Sequence, residues 1–258
     1  MTSRSGSAGR TPHRYEEIAA ELRDAIMRGI YKEGDQLPGE NAIMRQHAVA
    51  RATARDALAV LRHEGLATAR PGAGVFVAPR RRIVRDSASR YSRKRAASTS
   101  PFRSDAQQSG QRGEWEHASR KIKASPEVAR RLGLPPGATV METTYRYFAD
   151  ERPVQLSQSW EPLTITEGTP IEYPEDGAAI GVIARMDLIG RHVDRVVERV
   201  TARAAKPTEV EQLDLPRRGA YVLVIDRTHY AGDDAVETCD IIFPGDRYEL
   251  TYTIPVVD

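Results

Sequence analysis

Arg51, Thr53 and Arg55 open a helical pattern whose apolar members Ala54, Ala57, Leu58 and Leu61 recur on one face, while Arg62 joins the two arginines on the other. A helix with an apolar back and a cationic front can rest on a small core while its first turn enters a major groove. There an arginine offers guanine a two-pronged donor. The elements around this helix suit that chemistry. Leu37-Pro38-Gly39-Glu40 breaks the chain, residues 41–46 fit a short first helix, and residues 47–50 fit the turn before the second. Residues 66–69 and 75–78 alternate as short strands around Pro71-Gly72-Ala73-Gly74, whose glycines permit the positive φ of a tight turn, with Arg70 at its base. Further upstream Tyr15, Ile18, Ala19, Leu22 and Ile26 fall at helical spacing, and Gly29 stops that supporting helix.

Residues 37–77 resemble the winged helix-turn-helix of GntR-type bacterial transcription regulators. The resemblance rests on Leu37-Pro38, Glu40, Val49, Arg51, Thr53, Arg55, Ala57-Leu58, Leu61, Glu64-Gly65-Leu66, Arg70, Gly72, Gly74 and Phe76-Val77. It implies that Glu40, Arg45, Arg51, Thr53, Arg55, Arg70, Gly72 and Gly74 form the surface that meets DNA. Three positions depart from the family pattern. Asn41 replaces a frequent arginine, Ala50 a capping serine and Ala52 a common threonine, and these bear on which operator is read. The missing cap costs roughly 1 kcal/mol of helix stability. A protein-binding winged helix with a solvated arginine face is the bland alternative, and the joint presence of Arg51, Arg55 and Arg70 weighs against it.

A chain of 258 residues has room for one small and one standard domain. No apolar run approaches the roughly 20 residues of a membrane span, and the N-terminal stretch lacks the apolar core of a signal peptide, so a cytoplasmic location is expected. Cys239 is the only cysteine, and the six histidines are scattered without metal-ligand spacing. No disulfide, metal site or cofactor is expected. The net charge of +2 conceals a division: residues 1–123 hold 24 Lys and Arg against 13 Asp and Glu, and the remainder 14 against 23. The first half is drawn to phosphate and the second is not.

The expected organisation is a DNA-binding domain over 11–79, a basic linker over 80–113 and a second domain over 114–256. The linker reading comes from an Arg- and Ser-rich texture with little apolar content, in which Arg80 to Arg82 and Arg93 to Arg95 could touch phosphates. Trp115 stands at the entrance to the second domain's first strand. That domain carries an internal repeat: Pro126, Leu132, Leu134-Pro135 and Gly137 match Pro207, Leu213, Leu215-Pro216 and Gly219, and Val140, Ala149, Val154 and Pro162 match Val222, Ala231, Val236 and Pro244. Each copy reads as a short helix, a turn and a hairpin bent at Ala149-Asp150 or Ala231-Gly232. Two such units should pair into one antiparallel sheet with pseudo-twofold symmetry, because an isolated hairpin cannot bury its apolar face. Between the copies an amphipathic helix is expected over 178–189 and a strand over 193–202, and residues 247–256 should close the sheet.

This half resembles the effector-sensing (UTRA) domain of the HutC branch of GntR regulators, a chorismate-lyase-like α/β fold. The matching residues are Leu132-Gly133-Leu134-Pro135-Pro136-Gly137, Ala149-Asp150 with Pro153-Val154, Gly168-Thr169-Pro170, Glu198-Arg199-Val200-Thr201-Ala202-Arg203 and Gly245-Asp246-Arg247-Tyr248. The fold class implied is α+β. The resemblance further implies a small-molecule effector, a homodimer formed by this domain, and a palindromic operator whose fit changes on binding. Where sugar-phosphate sensors of the branch place arginines and a glutamate, this chain has Tyr145, Tyr147 and Ser157, which favours an aromatic or amphipathic ligand. Strand alternation and the repeat bring Tyr145, Ser157, Arg227 and Glu237 toward one cleft, with Arg185 and Tyr248 nearby. The expected function is that of a repressor, with control of plasmid transfer genes as a specific alternative. A chorismate-lyase-like enzyme is the alternative from another class, and no G-x-S-x-G, H-E-x-x-H or P-loop pattern supports it.

Overall fold

The chain divides after residue 80 into two units. The computed structural model describes residues 13–78, 82–93, 99–177, 180–216, 219–254 and 256.

In the N-terminal unit the apolar spacing becomes three helices. α1 (Arg14–Met27) buries Ile18, Ala19, Leu22 and Ile26, α2 (Glu40–His47) buries Ile43, and α3 (Arg51–His63) buries Ala54, Ala57, Leu58 and Leu61. These stripes share one core closed by Leu37, Ala67 and Val77. β1 (Ala67–Arg70) and β2 (Gly74–Val77) pair antiparallel, each within one residue of the strand read from the sequence. Gly72 and Gly74 take φ of +73° and +115°, as the turn requires. A Cβ on Gly74 would come within 2.6 Å of the Gln36 amide nitrogen, which donates to the Ala73 carbonyl at 2.7 Å and ties the hairpin tip to the loop before α2.

The C-terminal unit opens with β3 (Ile83–Asp86), α4 (Ser87–Arg90) and α5 (Pro101–Gln108). Then come β4 (Gly113–Lys123), α6 (Pro126–Leu132), β5 (Thr139–Ala149), β6 (Arg152–Pro162), α7 (Leu163–Thr166), α8 (Val182–Leu188), β7 (Arg195–Ala204), α9 (Pro207–Gln212), β8 (Tyr221–Ala231), β9 (Asp234–Pro244) and β10 (Tyr248–Thr251). Six strands form one antiparallel sheet in the order β4-β5-β6-β9-β8-β7. That order is the repeat made visible: strand, helix and hairpin occur twice, and the two hairpins meet at β6 and β9. Gln158 and Asp240, the same position in the two copies, pair directly across this seam. The register slips after Tyr147 in one hairpin and after His229 in the other, again the same repeat position. A pseudo-twofold axis therefore runs through the middle of the sheet.

Several expectations are corrected. Residues 80–113 are not a linker wherever they are described. Ile83, Phe102 and Ala106 are buried in one core with Ile225, Ile241 and Phe243, and the Ser100 hydroxyl caps α5. Arg85 is only 1% exposed. The basic texture misled because these arginines find carboxylates in later strands and helices, which composition does not reveal. Arg93 bonds Asp187 and the Val193 carbonyl, so it is not set aside for phosphate; Arg80, Arg81, Lys94 and Arg95 lie outside the described residues. The C-terminal unit accordingly begins near residue 81, not 114. Residues 247–256 do not close the large sheet either. β10 pairs parallel with β3 in a separate two-stranded sheet, because Arg247 anchors the turn by donating to the carbonyls of Pro153, Leu213 and Asp214 and leads the chain away from β9. The helix expected over 178–189 is α8, seven residues long, with Ala178 and Ala179 outside the described residues.

Replacing Phe102 with alanine tests the reassignment of the linker. Loss of so buried a ring should cost about 3–5 kcal/mol. Urea unfolding followed by tryptophan emission isolates this unit, since Trp115 and Trp160 both belong to it. An unchanged transition would return the segment to linker status.

Candidate DNA-reading face and candidate effector cavity

The buried stripe of α3 leaves Arg51, Ala52, Arg55 and Arg62 exposed and Thr53 half-buried. Ala50 caps the helix with backbone only, so no side chain serves the amides of the first turn. Asn41 and Glu40 at the start of α2 reach across to Arg51, whose Nη2 donates to Asn41 Oδ1 at 2.9 Å while its Nε lies 3.7 Å from Glu40. Asn41, one of the three departures from the family pattern, therefore orients an arginine on the exposed face of α3. Among the described residues no carboxylate pairs with Arg45, Arg55 or Arg62. In the hairpin the Arg70 guanidinium stacks 4.3 Å over the Phe76 ring, and Gly72 and Gly74 are exposed at the tip. The Arg23 and Glu64 side chains bond as a fork and fasten α1 to the end of α3. A cationic helix face and a cationic hairpin thus stand on one small core.

The C-terminal unit holds a cavity of about 380 Å³ on one face of its sheet. Its floor is read off by alternation: Tyr145 and Tyr147 on β5, Ser157, Ser159 and Glu161 on β6, Glu237 and Cys239 on β9, Arg227 and His229 on β8. Trp115 on β4 extends the floor, while Arg90 to Arg93, residues 99–102, Glu175 and α8 supply the opposite wall. Tyr145, Tyr147, Ser157, Arg185, Arg227 and Glu237 all line the cavity. Tyr248 does not; it stacks on Phe243 and its hydroxyl donates to Gln155 at 3.0 Å, because β10 belongs to the other sheet.

Buried ionic clusters organise this space. Glu237, fully buried, accepts from Arg227 at 2.9 Å and lies 2.8 Å from His229 Nδ1. Burial alone would push its carboxyl up, but Arg227 and His229 outweigh that and hold it at about 2. Burial and the nearby Arg227 push the His229 imidazole down, so it stays neutral near pH 7. Glu161 and Arg185 form a two-pronged pair, and Arg185 also donates to the Ile171 carbonyl. Arg85 and Tyr91 both bond Glu198, which fastens the segment entering the unit to β7.

Glu161, His229, Arg90, Tyr91 and Glu175 were missed from sequence. Extending the alternation from Ser157 to Glu161 and from Arg227 to His229 would have found two of them. Arg90 and Tyr91 were hidden by the linker reading, and Glu175 lies in a loop without periodicity.

A depressed carboxylate adds stability that is present above its ordinary value near 4.5 and lost as pH falls through its folded value. For Glu237 that window runs from about 4.5 to about 2 and carries on the order of 3 kcal/mol. Urea melts of the C-terminal unit at pH 7, 4 and 3 should show the decline. Glu237→Gln should be destabilised at pH 7 and decline less steeply, and a parallel profile would remove Glu237 from the account.

Comparison with known proteins agrees with both halves. Residues 14–77 match the family described as bacterial regulatory proteins, gntR family, and residues 110–249 match the UTRA domain. The HTH-type transcriptional regulator SCO4628 of Streptomyces coelicolor is 28% identical over 253 residues, 95% of this chain and 94% of that protein. A crystal structure of a GntR-family transcriptional regulator superposes with a TM-score of 0.62 at 37% identity, covering 94% of this chain and 98% of the other. PhnF from Mycobacterium smegmatis, at 24% identity, shares the fold with a TM-score of 0.58 over 93% of this chain and all of that one. The chain belongs to the gntR family of bacterial regulatory proteins and is a DNA-binding transcription regulator whose second half is a UTRA domain.

Proposed function

We propose that this regulator is a homodimeric repressor that occupies a palindromic operator and is modulated by a small molecule in the C-terminal cavity. One observation carries the coupling. Only five residues of sequence separate β2 from β3, and the same segment then supplies Arg90 to Arg93 to the cavity wall. An occupant of the cavity therefore touches the stretch of chain that leads directly to the DNA reader.

Arg51 and Arg55 read base edges, and Arg45 and Arg70 meet phosphate beside them. Glu40 holds Arg51, and the glycines Gly72 and Gly74 let the hairpin tip approach the duplex. The uncapped first turn of α3, at Ala52 and Thr53, offers free amides to a phosphate. One winged unit covers one half-site, so two copies joined through their UTRA domains match a palindrome. A dimer seated on a promoter blocks polymerase without an activating surface, which favours repression. The operator is bacterial DNA, so the site of action is the cytoplasm.

The effector contacts are Tyr145, Tyr147, Ser157, Arg185, Arg227 and Glu237, with Trp115, Glu161 and His229. We take the cavity to bind rather than to catalyse. Glu161, Glu237 and His229 are locked in pairs, and burial pushes the Cys239 thiol up to about 12, far from a reactive thiolate.

Selecting and sequencing the genomic and plasmid fragments retained at physiological salt tests the reading. A short palindrome upstream of a few genes is expected, and the neighbouring genes distinguish metabolic from transfer control. Arg51→Ala should weaken binding by ~1–3 kcal/mol and relax one base of each half-site. Retention without a shared motif would overturn sequence-specific repression.

A further inference from the structure

Among the described residues, each of the four guanidiniums lining the cavity has a carboxylate of its own. Arg185 sits on Glu161, Arg227 on Glu237, Arg90 on Asp105 and Arg93 on Asp187. Both oxygens of Glu161 accept from Arg185, which keeps that pair ionic although burial pushes the Glu161 carboxyl up. Among these described residues one lining carboxylate is left over. Glu175 accepts from a neutral donor, the Trp115 indole nitrogen at 3.1 Å, together with burial its charge pushes the Tyr145 phenol up, and among the described residues no cation pairs with it. Arg185 senses the Glu175 charge, yet its fork is taken by Glu161 and the Ile171 carbonyl.

Aromatic rings surround this unbalanced charge. Tyr145 stacks on Tyr147 at 5.6 Å, Trp115 lies 6.3 Å from Tyr147, and Phe102 closes the group at 4.8 Å from the same ring. The Arg103 guanidinium already rests 4.8 Å over Trp115, so one ring of the group receives a cation within the protein. A carboxylate without a basic partner among aromatic faces is matched by an organic cation, whose charge meets both the carboxylate and the ring quadrupoles. A phosphate or carboxylate at this end would meet Glu175 with like charge.

We infer that the effector is an organic cation, a substituted ammonium with an apolar body, whose charged group docks against Glu175 between Trp115, Tyr145 and Tyr147. The inference rests on the proposed effector role of the cavity and names the chemistry of its ligand.

Three probes of similar shape test it on the full-length protein: benzyltrimethylammonium, benzyl alcohol and phenylacetate. Each is titrated to millimolar concentration while tryptophan emission and the unfolding temperature are followed. Benzyltrimethylammonium should bind saturably and about tenfold more tightly than benzyl alcohol, and phenylacetate should bind most weakly. Glu175→Gln, which keeps an acceptor for Trp115, should bring the cation down to the affinity of the alcohol and leave the alcohol unchanged. Tyr147→Leu, a second variant that keeps Glu175, should weaken the cation most. Preference for phenylacetate, or an unchanged cation affinity in Glu175→Gln, overturns the inference and leaves the cavity as a ligand site. No binding by any probe overturns the inference together with the effector reading.

Discussion

The five residue pairs that join β6 to β9 hold the second half of this protein together. Neither hairpin could keep its apolar face dry alone, and the seam fuses two marginal units into one sheet. Because Gln158 faces Asp240 at the centre, the same positions of both copies project to the same side. The cavity floor is thus assembled from corresponding pairs: Tyr145 with Arg227, Tyr147 with His229, Ser157 with Cys239. One backbone plan yields two chemically different ends, aromatic on β4 and β5 and ionic on β8 and β9.

Divergence between the copies explains why buried charge is tolerated at such density. Glu237 needs Arg227 from the neighbouring strand, and Glu161 needs Arg185 from a helix between the repeats. A buried ion that loses its partner is far more costly than one never placed there. These residues therefore behave as linked sets, and a change at one reshapes the whole wall.

The sequence was most legible where structure is local. Helical spacing located α1 and α3, the glycines located the hairpin tip, and repeat matching located both β-hairpins and the symmetry between them. It was least legible where stabilisation comes from distant partners. Arg85 and Arg90 look like solvated linker charges until Glu198 and Asp105 are seen beside them, because those contacts depend on the tertiary fold. Tyr248 failed for a related reason: alternation assigns a face only within a known sheet, and β10 joins a different one. Glu175 had no periodic neighbour to betray it.

The short connection between β2 and β3 also acts as a tether of fixed reach. Six residue steps from Val77 to Ile83, drawn out fully, extend roughly 20 Å. Any displacement of β3 is therefore passed to the last strand of the DNA-binding unit through no more than that length of backbone, with too few residues between them to absorb a large shift.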